Sequence, residues 1–286
     1  LCLMAAASSL PAAPPHWSQF RGPNASGVAE AAQPPVQFGP EKNLRWKTAL
    51  PPGLSAPVVW GDRIFLTALA EKKLITLAFD ALTGRELWRQ VAPAETIEKC
   101  HEFSSPAAPT PCTDGERVYA YFGSFGLIAY DFSGKEVWLR ALERLPSEYG
   151  TATSPILAGG HLILLHDGDS TNAKLLALDP ATGKTVWESP RPLAGSCYST
   201  PMVWRHDGIE ELMIQGKGRV AAYSLSGGEP KWWVRGWGFS AVTTPVAGDG
   251  MLFAGGSGLG DPTEPDDPLF DWSKLIANHD ANKDGQ

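Results

Sequence analysis

The sequence predicts an all-β fold, a β-propeller of four-stranded antiparallel blades, and three observations carry that prediction. One phrase recurs four times. It reads Ala78-Phe79-Asp80-Ala81-Leu82-Thr83-Gly84-Arg85-Glu86-Leu87-Trp88, then runs from Ala129 through Asp131 and Gly134 to Trp138, and from Ala177 through Asp179 and Gly183 to Trp187. The fourth copy is looser, from Ala222 through Ser224 and Gly227 to Trp232. The closing tryptophans stand 50, 49 and 45 residues apart, and Trp46 lies 42 before Trp88. A fixed period in that range marks one supersecondary unit used repeatedly. Finally, apolar and polar residues alternate in short runs such as Arg63–Thr67 and Arg117–Tyr121, with no helical period between Trp46 and Ala254.

Each copy has the same internal grammar. A strand ends at Ala-x-Asp, a tight turn follows, and a second strand carries the tryptophan. The Asp carboxylate can accept from backbone amides across the turn, and the glycine supplies a positive φ. Small residues before proline recur upstream at Ala56-Pro57, Ala108-Pro109, Ser154-Pro155, Thr200-Pro201 and Thr244-Pro245, and start each unit. An apolar pair, a Gly/Asp turn and an alternating strand come next, which makes four strands per unit. Blades fan out from an axis, so the gap between sheets widens toward the rim, and a large flat tryptophan fills that wedge.

Taken in order, residues 1–13 read as the remnant of a signal peptide. Leu1 to Leu10 form an apolar stretch and Pro11 to Ala13 a small-residue exit. Residues 14–43 are a lead-in, and Leu44–Thr48 is expected to be a closing strand. Blades are expected near 55–90, 105–140, 152–189 and 199–235, with a partial fifth from 242 and the propeller ending at 256. Residues 257–286 are read as a Gly/Pro/Asp linker, a helix near Leu269 to Asn278, and a loop. At about 45 residues per blade, 286 residues hold four blades and parts of others. The chain is therefore expected to be a piece of a longer reading frame.

The repeated Ala-x-Asp-x-x-Thr-Gly-x-x-x-Trp resembles the tryptophan-docking motif of pyrroloquinoline-quinone-type repeats, over about residues 44–256. Such repeats occur in quinoprotein alcohol dehydrogenases and in the assembly factor BamB. The resemblance implies a ring of seven or eight blades, of which this chain would be about half. Trp17-Ser18-Gln19-Phe20-Arg21-Gly22-Pro23 through Gly27 is also similar to the lead-in of exported members. The docking residues it assigns are Asp80, Gly84, Trp88, Asp131, Gly134, Trp138, Asp179, Gly183, Trp187, Gly227 and Trp232. They build blades and do not touch a cofactor. The quinoprotein branch uses adjacent cysteines, a calcium held by Glu, Asn and Asp, and a catalytic Asp. Here Cys2, Cys100, Cys112 and Cys197 are never adjacent, and no residue carries over to those calcium or base positions.

A net charge of −7, a pI near 5.4 and no Lys/Arg cluster argue against nucleic acid or an anionic membrane as partner. No apolar run reaches the ~20 residues needed to span a bilayer. After Cys2 three cysteines remain, an odd number. Cys112 is aligned with Trp60 and Ala158 at the first turn of its blade, opposite Cys100, so a disulfide between the two is disfavoured. The mouth of the channel is expected to be lined by His101, Glu102, Ser104, Ser105, Tyr149, Thr151, Cys197, Tyr198, Ser199, Phe239 and Ser240. His101-Glu102 beside serines lacks a Gly-x-Ser-x-Gly elbow, and the plain reading is a wet polar rim. His166-Asp167-Gly168-Asp169 falls where a hairpin turn is due. His16, His161, His206 and His279 lack zinc-like spacing.

Asp280-Ala281-Asn282-Lys283-Asp284-Gly285 is the first half of an EF-hand loop. Oxygens at positions 1, 3 and 5 face a hard cation, and glycine at 6 allows the bend. Asp280, Asn282, Asp284 and the Gln286 carbonyl are the candidate calcium ligands. With position 12 missing, weak binding or none is expected of the half-loop. The functional expectation is an exported, non-enzymatic binding or assembly scaffold. It would engage a protein partner or other ligand at the propeller loops or channel and carry a calcium-binding insertion. The alternative is a dehydrogenase dependent on pyrroloquinoline quinone and calcium.

Overall fold

The computed structural model describes residues 16–30, 32–191, 195–216, 218–235 and 242–256. The expected signal remnant at 1–13, the linker, helix and calcium half-loop at 257–286, and Phe239 and Ser240 lie outside the described residues. Among those residues there is no α-helix, only a 3-10 turn at Pro23–Ala25.

Strand β1 is His16–Trp17. Blade one follows as β2 (Val58–Trp60), β3 (Arg63–Ala70), β4 (Lys73–Asp80) and β5 (Glu86–Val91). Blade two is β6 (Cys112–Thr113), β7 (Arg117–Phe122), β8 (Gly126–Asp131) and β9 (Glu136–Ala141). Blade three is β10 (Ile156–Ala158), β11 (His161–His166), β12 (Lys174–Leu178) and β13 (Thr185–Pro190). Blade four is β14 (Met202–His206), β15 (Ile209–Gly216), β16 (Arg219–Ser224) and β17 (Pro230–Arg235), and β18 (Val246–Gly248) with β19 (Met251–Phe253) begins a fifth sheet. Every blade is an antiparallel meander in chain order. The middle strands are buried runs such as Leu74–Phe79 and Leu162–His166, while the fourth strand alternates between exposed and half-buried, as an outer strand should. The inner strands β2, β6 and β10 lie side by side around the axis.

The repeat now has a mechanical explanation. The motif alanine faces the motif tryptophan across the ladder, in Ala78–Trp88, Ala129–Trp138, Ala177–Trp187 and Ala222–Trp232, and the register slips immediately after each alanine. A small residue and a bulge there let the indole lie over the edge of its own sheet. The ring then docks on the turn of the next blade. Trp46, Trp88 and Trp138 cover Gly84, Gly134 and Gly183, all at positive φ, where a Cβ would collide with the indole. Their Nε1 atoms donate to Ala81 O, Phe132 O and Pro180 O at 3.0, 3.0 and 2.9 Å. Two residues on, Thr48, Gln90 and Arg140 donate to the carbonyls of those same glycines at 2.8, 2.8 and 3.0 Å. Within each turn, the Oδ1 atoms of Asp80, Asp131 and Asp179 accept from backbone amides, as the turn reading requires.

Leu44–Thr48 pairs with no sheet edge among the described residues, yet Trp46 docks. Three expectations are corrected. The docking glycine of the fourth turn is Gly228, at φ 78 beneath Trp187, and not Gly227, which faces Glu229. That turn is one residue longer before its glycine than it reads, and Gly228 N–H donates to Ser224 O at 2.9 Å. Blade two starts at Thr110-Pro111, not Ala108-Pro109. A chain of amide-to-hydroxyl bonds identifies the equivalent positions: Ala56 to Thr110, Thr110 to Ser154, Ser154 to Thr200 and Thr200 to Thr244, at 3.0, 3.0, 3.2 and 3.2 Å. Each blade's entry thus holds the next one near the axis. Cys112 pairs with Tyr119 as Val58 pairs with Phe65 and Ile156 with Ile163, so it is a buried strand residue and not a turn residue.

The lead-in is more than a leader. β1 pairs with β2, placing Trp17 opposite Val59. Ser18 O then accepts from Thr113 N–H at 2.9 Å, Gln19 Oε1 from Leu157 N–H at 3.1 Å, and Asn24 Oδ1 from Val203 N–H at 2.8 Å. Those four partners sit on the inner strands of blades one to four in turn.

Candidate functional site

The end of the propeller opposite the β2–β3 and β4–β5 turns is built by the connectors that lead from each outer strand to the next inner strand, 92–111, 142–155 and the described residues 191 and 195–201. On it His101, Tyr149 and Tyr198, one from each connector, form an aromatic chain. The centroids of His101 and Tyr149 are 4.9 Å apart, those of Tyr149 and Tyr198 5.6 Å apart and edge-on. Phe103 packs 5.0 Å from His101 and is 80% exposed. Glu102, Glu143 and Glu148 are exposed on the same connectors. The sequence placed His101, Tyr149 and Tyr198 at the mouth, and the structure brings them together.

His101 Nδ1 accepts from Phe103 N–H at 3.3 Å, and Ser105 Oγ accepts from Ala107 N–H at 3.1 Å. These are turn-forming bonds, and Glu102 points to solvent. Cys197 and Ser199 are buried below the rim. Thr151 Oγ1 donates to Glu98 Oε2 at 3.1 Å, while the other oxygen of Glu98 is buried without a partner. Gly123 and Gly150 press against this carboxyl group, and a Cβ on either would crowd it or its neighbours. Burial pushes the Glu98 carboxyl above its ordinary value, against the opposing bonds from Thr151. All three cysteines described are free.

Below the rim runs a buried polar set that the sequence did not reveal. Tyr121 OH lies 2.9 Å from His166 Nδ1 across the interface of blades two and three. Burial lowers His166 to about 4, which keeps its ring neutral. Asp167 and Arg191 form an ion pair at 2.9 Å with side chains 0% and 1% exposed, and Arg191 also donates to Tyr223 OH. Burial pushes the Asp167 carboxyl up against the pull of Arg191. The His166–Asp169 segment does end a strand and open the loop, but His166 links inward to blade two and Asp167 pairs inward with Arg191 of its own blade. Nothing in the local spacing points to Arg191 or Tyr223, which lie 24 and 56 residues after Asp167.

Repeats that dock a tryptophan of one blade on the turn of the next build a β-propeller, and they are similar to pyrroloquinoline-quinone-type repeats. Residues 39–148 match the family described as outer membrane protein assembly factor BamB. The quinohemoprotein alcohol dehydrogenase ADH IIB of Pseudomonas putida is 26% identical over 147 residues, which is 47% of this chain and 20% of that protein. Among solved structures, a europium-containing methanol dehydrogenase superposes with a TM-score of 0.64 at 13% identity, over 83% of this chain and 52% of that one. The quinohemoprotein alcohol dehydrogenase ADHIIG of Pseudomonas putida HK5 superposes with a TM-score of 0.54 at 16% identity, over 72% of this chain and 39% of that one. The chain thus spans about a fifth of the curated relative and about half or less of these solved chains. The structural likenesses establish the propeller fold. Among the described residues no helix is long and apolar enough to cross a membrane.

Proposed function

We propose that this chain is the propeller of an exported, non-enzymatic binding scaffold that engages a protein partner through its connector face. The observation that carries this reading is the convergence of His101, Tyr149 and Tyr198 from three successive connectors, with Phe103 left exposed beside them. Aromatic side chains that sit at a surface on rigid connectors are the usual anchors of protein interfaces. The match to an assembly factor over 39–148 and the signal-like residues 1–13 support it.

The rival reading, a quinone- and calcium-dependent dehydrogenase, draws on the curated relative. Calcium takes six to eight oxygen ligands. Glu98 is the buried carboxylate at the mouth, and its polar neighbour is the Thr151 hydroxyl. Among the described residues no group of three or more His, Cys, Asp or Glu is placed to hold a metal. That donor set does not fit the cation. A separate calcium site is proposed at Asp280, Asn282, Asp284 and Gln286, to be completed by residues after Gln286.

Two assays separate the readings. The protein is reconstituted with pyrroloquinoline quinone and calcium and supplied with an alcohol and an artificial electron acceptor. Turnover would replace the scaffold reading. A photo-crosslinking residue at Phe103 should capture a protein partner in the cell envelope, whereas the same residue at Leu82, exposed on the β4–β5 turn at the opposite end, should not. Equal capture at both positions contradicts the connector-face assignment.

A further inference from the structure

We propose that the inner edges of the blades form an acceptor site for extended polypeptide, filled in cis by residues 16–27. An inner strand is an edge strand, and its outward amides need partners. Val59, Thr113, Leu157 and Val203 are equivalent positions, since their strand partners Ile64, Val118, Leu162 and Leu212 all lie on the second strand of their blades. Residues 17, 18, 19 and 24 meet these four positions in order, one blade after another. Asn24 serves both sides of its partner, since its Nδ2 also donates to Val203 O at 2.6 Å.

The seat is side-chain specific as well. His16 stacks on Trp60 with centroids 4.0 Å apart, Gln19 is buried, and Ala25 is buried against Met202, Met213, Val220 and Ala222. Arg21, Asn24 and Ala25 adopt φ of 57, 51 and 53, a region costly for non-glycine residues. A peptide keeps such a shape when its surroundings impose it. Gly22, at φ 73, lies under the Trp17 ring, where any Cβ would collide. Beyond Gly27 the chain leaves the surface, with Val36 and Phe38 exposed before Trp46 docks. The segment is therefore a ligand on a tether, not a continuation of blade one.

The test cuts that tether. A protease site is placed at residues 33–37 of the full chain, the folded protein is cleaved, and the fragments are followed by gel filtration and native mass spectrometry. The N-terminal fragment should stay bound, and a labelled peptide of residues 14–28 should exchange into its place. With Gln19→Ala and Asn24→Ala together, three hydrogen bonds are lost and the fragment should leave at least about tenfold faster. Val28→Ala, at an exposed position outside the seated residues, should leave retention unchanged. Immediate release of the wild-type fragment, or retention that the double substitution does not alter, would overturn the proposal.

Discussion

The interface between blades two and three and the interface between blades three and four have the same shape and different chemistry. At the first, Trp138 covers Gly183 and donates to Pro180 O, and Arg140 donates to Gly183 O. At the second, Trp187 covers Gly228 with its Nε1 buried and unpartnered. Ser189 stands where Gln90 and Arg140 stand in the earlier blades and is too short to reach the turn. The polar link has moved inward to Asp167, Arg191 and Tyr223. The fourth turn has Ser224 in place of the aspartate, so its amides are held by a single hydroxyl. The docking geometry of a repeat thus survives the loss of its hydrogen bonds when another interaction takes over the joint.

The largest way to break this contrast is Arg191→Met. It leaves Asp167 buried without the guanidinium it pairs with, and unfolding in denaturant should show a loss of about 3–5 kcal/mol. Arg140→Ala removes a bond to a neutral carbonyl and should cost about 1 kcal/mol. Similar costs for the two would mean that the joints do not differ.

Acid separates them next. His166 lies between blades two and three, and its proton affinity is lowered from 6.5 to about 4 in the folded state. The unfolded chain therefore binds this proton first as pH falls. The stability held in neutral His166 is complete above about 6.5 and is lost as pH falls toward 4, by about 3 kcal/mol over the window. Glu98 runs the other way, because its raised carboxyl favours the fold at low pH and opposes it as pH rises. Unfolding free energies at pH 7 and 4.5 should show the loss, and His166→Gln should flatten it. An unchanged slope in that variant would remove His166 from the joint.

A smaller effect sharpens the assignment of the fourth turn. Gly228→Ala places a methyl against Trp187 at positive φ and should cost about 2 kcal/mol. Gly227→Ala meets the flexible carboxylate of Glu229 and should cost less than about 1 kcal/mol. Thermal unfolding of the pair decides which glycine docks the ring.

How much of this was legible followed from range along the chain. The alternation, the turn and the tryptophan lie within eleven residues of one another, so the four blades could be placed to within a few residues. The alanine before the bulge was visible, but its cause, the indole opposite, needed the ladder. Thr110 and Ala108 both precede proline, and only the bond to Ala56 tells which one opens the blade. Gly227 and Gly228 are adjacent, and sequence cannot say which carries the positive φ. At the mouth, His101, Tyr149 and Tyr198 were legible because they recur at the same point of the repeat. Glu98, Tyr121, Arg191 and the contacts of Gln19 and Asn24 were not. Their partners lie up to 179 residues away and follow no period.

The measurement that tests the contrast most directly is the unfolding free energy of Trp138→Phe beside that of Trp187→Phe. Both lose the same ring volume. Trp138→Phe also loses the bond to Pro180 O, whereas Trp187→Phe removes a buried N–H that has no partner. Trp138→Phe should therefore be the more destabilising by at least about 1 kcal/mol. Equal losses, or a larger loss at Trp187, would contradict the division between the two joints.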